Sequence, residues 1–453
     1  MPASTTASRG RLGAIRGATL KVIVPLAAFG MLLTGCTAGG ANQQSDPNAP
    51  VTITFWHGWS LPNDVKALQK NIDQFEKLHP NITVKATPNI SDDKILQGLR
   101  SANGPDVASS FVTDAVGGLC HGALIDLNPL LKKDGIDKEK TFIPSRIGYT
   151  QFDGKQCALP LLGDAFGLYY NTDMFAAAGI TAPPKTWTEF TADAVKLTTM
   201  KGGTYDQLGF MASVDGYESD TGTWLHQWGP TYFTDQGKSN LANDPKVSEF
   251  FEYNKSLIKA LGGYAALQKY RSTFGDEWSA ENPFEVGKVA MAFDGEWRIP
   301  IIKSDGAKVN YAVAPLPVPD DQLASYGKGF LTGTIIGIAA RSRSQQASWE
   351  FVKYLATNEQ ALVSFGNQIS NLPSTLSALK SPDLPQDPAF KTFLDISANP
   401  QSVGAPATAN GNAYLTVLHR FAAKWESGEA KDLHQGLADA DKQIDAAIAQ
   451  TTK

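Results

Sequence analysis

Apolar positions along the chain follow two rhythms. The stretch VTITFWHGW from Val51 is β-branched and aromatic, and predicts a strand running into a loop. In the next segment Val65, Leu68, Ile72, Phe75 and Leu78 recur at helical spacing. That predicts a helix with Asn63 as its cap and Pro80 as its stop. NITVKAT predicts a second strand, SDDKILQGLRSA a helix capped by Ser91, and GPDVASSFV a third short strand. This β-α-β-α-β order implies a largely parallel sheet in an α/β domain. Ligands of such sheets sit at loops beyond the carboxyl ends of the strands, which here hold Trp56, His57, Trp59 and Asp114.

The pattern changes further on. TAPPKTWTEF places Glu189 three residues after Thr186, the spacing of a capping box. GKVAMAFDGEWRIP predicts a strand ending in a polar aromatic turn, and AVAPLPVPDDQ has the proline density of an interdomain crossing. FLTGTIIGIAA predicts a strand, SQQASWEFVKYLATNEQALVSFG one continuous helix, and GLADADKQIDAAIAQ a terminal amphipathic helix. About 400 residues after Val51 exceed what one core usually serves, so two domains are expected. GKGFLTGT lacks the spacing of a phosphate-binding loop and is read as a strand entry.

The front of the chain follows neither rhythm. Arg9, Arg11, Arg16 and Lys21 precede the apolar run from Val22 to Leu33, with no acidic residue before Cys36. The run is too short to span a bilayer and has the layout of an export signal. Leu33-Thr34-Gly35-Cys36 resembles a bacterial lipobox, which implies cleavage before Cys36 and lipidation of its sulfur; the rival is a plain signal with an incidental cysteine. The polar segment 36–50 then reads as a flexible tether. Without the signal, 36 basic residues stand against 45 acidic ones, a net charge of about −9. That excludes the basic stripe of a nucleic-acid binder and suits neutral polar ligands. Cys120 and Cys157 are an even pair in an oxidising compartment, and a disulfide is expected, with two free thiols as the alternative. The six histidines are scattered without ligand spacing, so no metal is expected. No cofactor is expected either.

Five motifs occur in one order: GPDVASSFVTDAVGGLCHGALIDLNPLL, LYYNTDMFAAAGITAPPKTWTEF, GKVAMAFDGEWRIP, GTIIGIAARSRSQQASWEFVKYLATNEQA and NLPST. Together they resemble the extracellular solute-binding proteins of carbohydrate ABC importers, the maltose-binding-protein-like group. The resemblance implies two α/β lobes with a ligand cleft between them and hinge crossings near Gly163–Ala165, Pro315–Pro319 and Leu372–Ser374. Lobe 1 would be 51–163 with 318–372, and lobe 2 164–317 with 373–453. It also implies a monomer delivering a carbohydrate to permease subunits served by a separate ATPase.

A sugar needs flat aromatic faces for its C–H surfaces and carboxylates or amides for its hydroxyls. The resemblance places Trp297 as a stacking ring and Asp164 and Asp114 as hydroxyl acceptors. Glu296, Asn371 and Asn412 are further polar candidates, and Trp56, His57, Trp59 and Trp224 are candidates divided between cleft and core. Tyr217 and Trp228 crowd the same stretch as Trp224. Two other ligand chemistries stay open. A glycerophosphodiester or polyol phosphate would need a free cation, with Arg298 the main local one. A glycoside hydrolase would need a carboxylate pair such as Asp294 and Glu296.

Overall fold

The computed structural model describes residues 49–451 except Asp215 and Tyr217. Cys36 and the export-signal segment lie outside the described residues. Among the described residues, no helix is long and apolar enough to cross a membrane.

The strands are β1 (Val51–Trp56), β2 (Ile82–Thr87), β3 (Val107–Ser110), the short pair β4 (Gln151–Phe152) and β5 (Lys155–Gln156), β6 (Leu159–Asn171), β7 (Thr199–Lys201), β8 (Thr204–Phe210), β9 (Val289–Gly295), β10 (Tyr311–Pro315), β11 (Leu331–Ile338) and β12 (Leu372–Pro373). The main sheet runs β2-β1-β3-β11-β6-β9-β8-β7. β1 is parallel to β2 and β3, as the β-α-β-α-β rhythm implies. β6 carries the architecture. Its first half, to Ala165, pairs with β11 and β12, and its second half, from Phe166, pairs with β9 and β10. One long strand therefore belongs to two half-sheets, each with its own apolar core.

Local sequence explains most boundaries. The first helix runs Pro62–Leu78, two residues earlier than a cap at Asn63 would have it, with Leu61 at the cap position. Proline supplies a helical φ and its missing N–H is no loss in the first turn. Thr186 and Glu189 form the capping box of the helix Trp187–Lys196. The continuous helix expected from Ser344 onward is two, Gln345–Thr357 and Glu359–Ile369. Asn358 divides them: its backbone is extended and its side chain accepts from Ala361 N at 2.9 Å, so it caps the second helix instead of continuing the first.

Cys120 and Cys157 form a disulfide with Cα atoms 5.5 Å apart. It ties the helix Val116–Leu119 to the entry of β6 across 37 residues, contributing about 4 kcal/mol in the chain-entropy model.

Candidate functional site

The two half-sheets meet in a knot of polar side chains. Asp164 lies on β6 opposite Thr332 of β11, which hydrogen-bonds to it. Glu296 follows β9 and accepts from Ala165 N at 3.1 Å. Asn371, just before β12, donates its amide to Asp164 and, at 3.0 Å, to Glu296. Asp164, Thr332 and Asn371 are half-buried and offer polar edges, while Glu296 is buried beneath them. Burial raises both carboxyls, Glu296 furthest, and the two acids hydrogen-bond to each other. Two adjacent buried carboxylates cannot both stay ionised, so burial favours the neutral form of one of the pair.

Arg146 stabilises the knot from behind. It is fully buried, donates to Pro373 O at 2.6 Å and to Ser397 Oγ at 2.7 Å, and its charge acts on Asp164 and Glu296. Gly163 makes room for it: a Cβ there would sit 1.8 Å from the Arg146 Cζ. The sequence gives no hint of this, because Arg146 lies in the unremarkable stretch PSRIGYT.

Asp114 sits in the turn Thr113–Ala115 after β3. Its carboxyl is pushed up to about 7, first by burial and then by the nearby charges of Asp220 and Asp92. Asp220 caps the helix Thr221–Leu225 through Thr223 N at 2.8 Å and is itself raised by burial. Two acids from distant parts of the chain thus face each other. Beside them the segment 405–412 lies against the helix Val116–Leu119, where a Cβ at Gly117 would meet Thr408 O at 1.8 Å. Asn412 precedes the helix Ala413–Glu426 and is half-buried; Tyr414 is buried close to Asp114, and its hydroxyl has no partner.

Rings connect these two polar groups. Trp297, half-buried, meets Phe166 edge-on at 5.4 Å. Phe166 touches Phe330 at 5.7 Å, Phe330 touches His226 at 4.4 Å, and His226 touches Tyr232 at 5.1 Å. Tyr232 reaches Tyr414 at 5.7 Å. An aromatic seam therefore runs from the knot to Asp114. Gly295 lets the Trp297 ring fold back, since a Cβ there would lie 2.1 Å from it.

Other candidates are placed differently. Trp224 is fully buried, packed edge-on against Phe210, Phe250 and Phe293. Trp228 stacks on Trp187 at 4.7 Å, and Tyr217 lies outside the described residues. Trp59 is buried edge-on against Phe111 and Phe365, and His57 is buried between Phe55 and Trp59, its imidazole pushed down to about 4 by burial. Trp56 is half-buried on the opposite face of β1, over Gly98. Strand alternation puts Phe55 and His57 on one face of β1 and Trp56 on the other. The ring left open in this region is Phe111, 40% exposed and covering Gly58, three residues before Asp114. Sequence reading passed over it, although a phenylalanine between a strand end and a polar turn is a usable signal. Among the described residues, no group of three or more His, Cys, Asp or Glu side chains is arranged to hold a metal ion.

Arg298 is buried among three acids. It donates to Asp294 at 2.6 Å and Glu285 at 3.2 Å, lies 3.6 Å from Glu277, and is buried beneath the Trp278 ring.

Asp114 carries a pH prediction. Its folded carboxyl titrates near 7 and its unfolded one near 4. Between those values the unfolded chain loses the proton first, so stability falls as pH rises and levels off above 7. Asp114→Asn removes this contribution. Chemical denaturation at pH 5 and pH 8 is expected to show the variant gaining on the wild type at the higher pH; an equal difference at both would refute the assignment.

Comparison with known proteins gives a consistent result. The family model described as bacterial extracellular solute-binding protein matches residues 58–362. A probable ABC transporter-binding protein of Deinococcus radiodurans is 26% identical over 385 residues, 82% of this chain and 87% of its own length. The diacetylchitobiose binding protein DasA of Streptomyces coelicolor is 27% identical over 380 residues, 80% of this chain and 84% of its own. Among solved structures, CpMnBP1 with mannotriose bound superimposes with a TM-score of 0.75 at 26% identity, covering 87% of this chain and 99% of that one.

Proposed function

The chain belongs to the bacterial extracellular solute-binding protein family, and on that premise we propose that it is the lipid-anchored receptor of a carbohydrate ABC importer. It takes a neutral sugar, a di- or oligosaccharide, into a cleft between two lobes and closes by hinge motion. It then hands the sugar intact to membrane permease subunits driven by a separate ATPase. The lobes in this reading are 51–163 with 318–372 and 164–317 with 373–453, the protein acts as a monomer, and Cys36 carries the anchor.

The observation that carries the ligand class is charge. Both arginines beside the site are already committed: Arg298 to three carboxylates and Arg146 to the polar knot. The half-buried groups on offer are acids and amides, Asp114, Asp164, Asp220, Asn371 and Asn412. Such groups accept and donate hydrogen bonds to hydroxyls, each contributing about 0.5–1.5 kcal/mol net. A phosphodiester would meet carboxylates in place of a free guanidinium. The hydrolase reading loses its acid pair, since Asp294 is held by Arg298 and Glu296 is buried against Asp164.

Thermal unfolding against neutral saccharides, polyols and glycerophosphodiesters tests this reading, with each mixture checked afterwards for products. Ligand at 100 times its dissociation constant adds about 2.7 kcal/mol. A neutral sugar that stabilises and is recovered intact is the expected result. Stabilisation by phosphodiesters alone replaces the ligand class, and a consumed sugar makes the protein an enzyme.

A further inference from the structure

Trp278 is 56% exposed, whereas every other tryptophan of the nine is buried or half-buried. A ring of that size left in water forgoes the stabilisation that burial of a large apolar side chain usually brings. The loop that carries it is nonetheless well tied. The Asp276 carboxylate accepts from Trp278 N at 3.0 Å, and the Asp276 carbonyl accepts from Ser279 Oγ at 2.7 Å. Glu277 O accepts from Arg298 Nη1 at 3.1 Å and from Asn282 Nδ2 at 3.2 Å. The Arg298 guanidinium lies 5.2 Å from the centre of the ring and supports one face of it. The ring is held in place and still open to solvent, which is how a platform ordered in advance of its ligand lowers the cost of binding.

Its neighbours lead to the two polar groups of the site. Arg298 links the two rings: its backbone follows Trp297 and its guanidinium meets Trp278. Glu277 hydrogen-bonds to Glu218, Glu218 lies close enough to Asp220 to feel its charge, and Asp220 acts in the same way on Asp114. A row of carboxyls therefore runs from beside Trp278 to Asp114. Glu218 and Glu277 are half-buried, and a carboxyl bonds hydroxyls whether it is ionised or neutral. Asp276 and Glu277 also line an open cavity of about 520 Å³, together with Gln268, Arg271 and Phe274. A flat ring, hydroxyl partners and open space thus occur together past Trp297.

We propose that Trp278 is a second stacking platform, for a sugar residue beyond the one on Trp297, and that it makes the receptor favour chains longer than a disaccharide. The proposal rests on the saccharide reading above and adds the length of the ligand to it. A pyranose laid on the indole covers apolar surface with its C–H face and leaves its rim hydroxyls for the neighbouring acids. The Arg298 side chain separates the two rings, so a chain that covers both needs more units than one that covers Trp297 alone.

Calorimetric titration of the full protein with matched di-, tri- and tetrasaccharides of neutral glucans, mannans, xylans and galactans tests the proposal. In the series that binds, affinity is expected to rise about tenfold or more from the disaccharide to the longer chains, the contribution of one aromatic anchor. Trp278→Ala, at an exposed position that does not endanger folding, is expected to abolish that rise and leave the disaccharide within about twofold of wild type. Trp278→Phe keeps a flat ring and is expected to retain most of the rise, whereas Trp297→Ala is expected to weaken every length. A rise that survives in Trp278→Ala, a disaccharide weakened there as much as the longer chains, or a series that binds without any rise would overturn the platform and leave the saccharide reading standing. No binding at any length would overturn both.

Discussion

Replacing Arg146 with alanine is expected to destabilise the protein by about 3–5 kcal/mol at pH 8, the cost of removing one partner from a buried charged cluster. The guanidinium is the cation behind Asp164 and Glu296, and it also satisfies Pro373 O and Ser397 Oγ, which would otherwise be buried without a donor. The loss should depend on pH in a defined direction. At low pH both carboxyls are neutral in either protein and tolerate the missing cation. As pH rises the unfolded chain ionises first, and the variant, whose carboxyls are held higher still, loses more stability than the wild type. Urea unfolding at pH 5 and pH 8 checks this. A loss below about 1 kcal/mol, or the same loss at both pH values, would show that Arg146 is not the counter-charge of the knot.

Replacing Trp297 with alanine is expected to weaken sugar binding about 10- to 100-fold, the range of a buried aromatic anchor contributing about 2 kcal/mol or more. Trp297 follows the polar turn after β9, directly next to Glu296, and its ring begins the aromatic seam that leads toward Asp114. Under the proposed function, this half-buried ring would stack on a pyranose. Trp224→Ala serves as the contrast. Trp224 is enclosed by Phe210, Phe250 and Phe293, so its loss should lower stability by about 3–5 kcal/mol and leave the affinity of the folded protein close to wild type. If the two variants exchanged these phenotypes, the assignment of cleft and core would be reversed.

How much of this was legible in the chain varies with the range of the interaction. Strands β1, β2, β3, β9 and β11 are visible as β-branched or aromatic runs because their pattern is local. The capping box at Thr186 is local as well. The division at Asn358 was hidden because an asparagine can sit in a helix or begin one, and the side chain's bond to Ala361 N decides it. Facing is harder. Alternation in FWHGW separates Trp56 from His57 and says nothing about which face is covered, and the packing of Phe365 and Phe111 on Trp59 comes from elsewhere in the chain. The polar knot shows the same limit more strongly. Arg146, Gly163, Glu296 and Asn371 are brought together by strand pairing across more than two hundred residues. Asp164 could be singled out by family resemblance, but its dependence on Arg146 and Gly163 is a property of the folded chain alone.

The most direct test is calorimetric titration of the protein with a panel of neutral di- and oligosaccharides, repeated on Asp164→Ala and Trp297→Ala and followed by chromatography of the ligand. One of these neutral sugars should bind the wild type at a single saturable site, lose affinity in both variants, and be recovered uncleaved. Binding that persists unchanged in both variants, or a sugar returned as shorter products, would contradict capture in the cleft between the half-sheets.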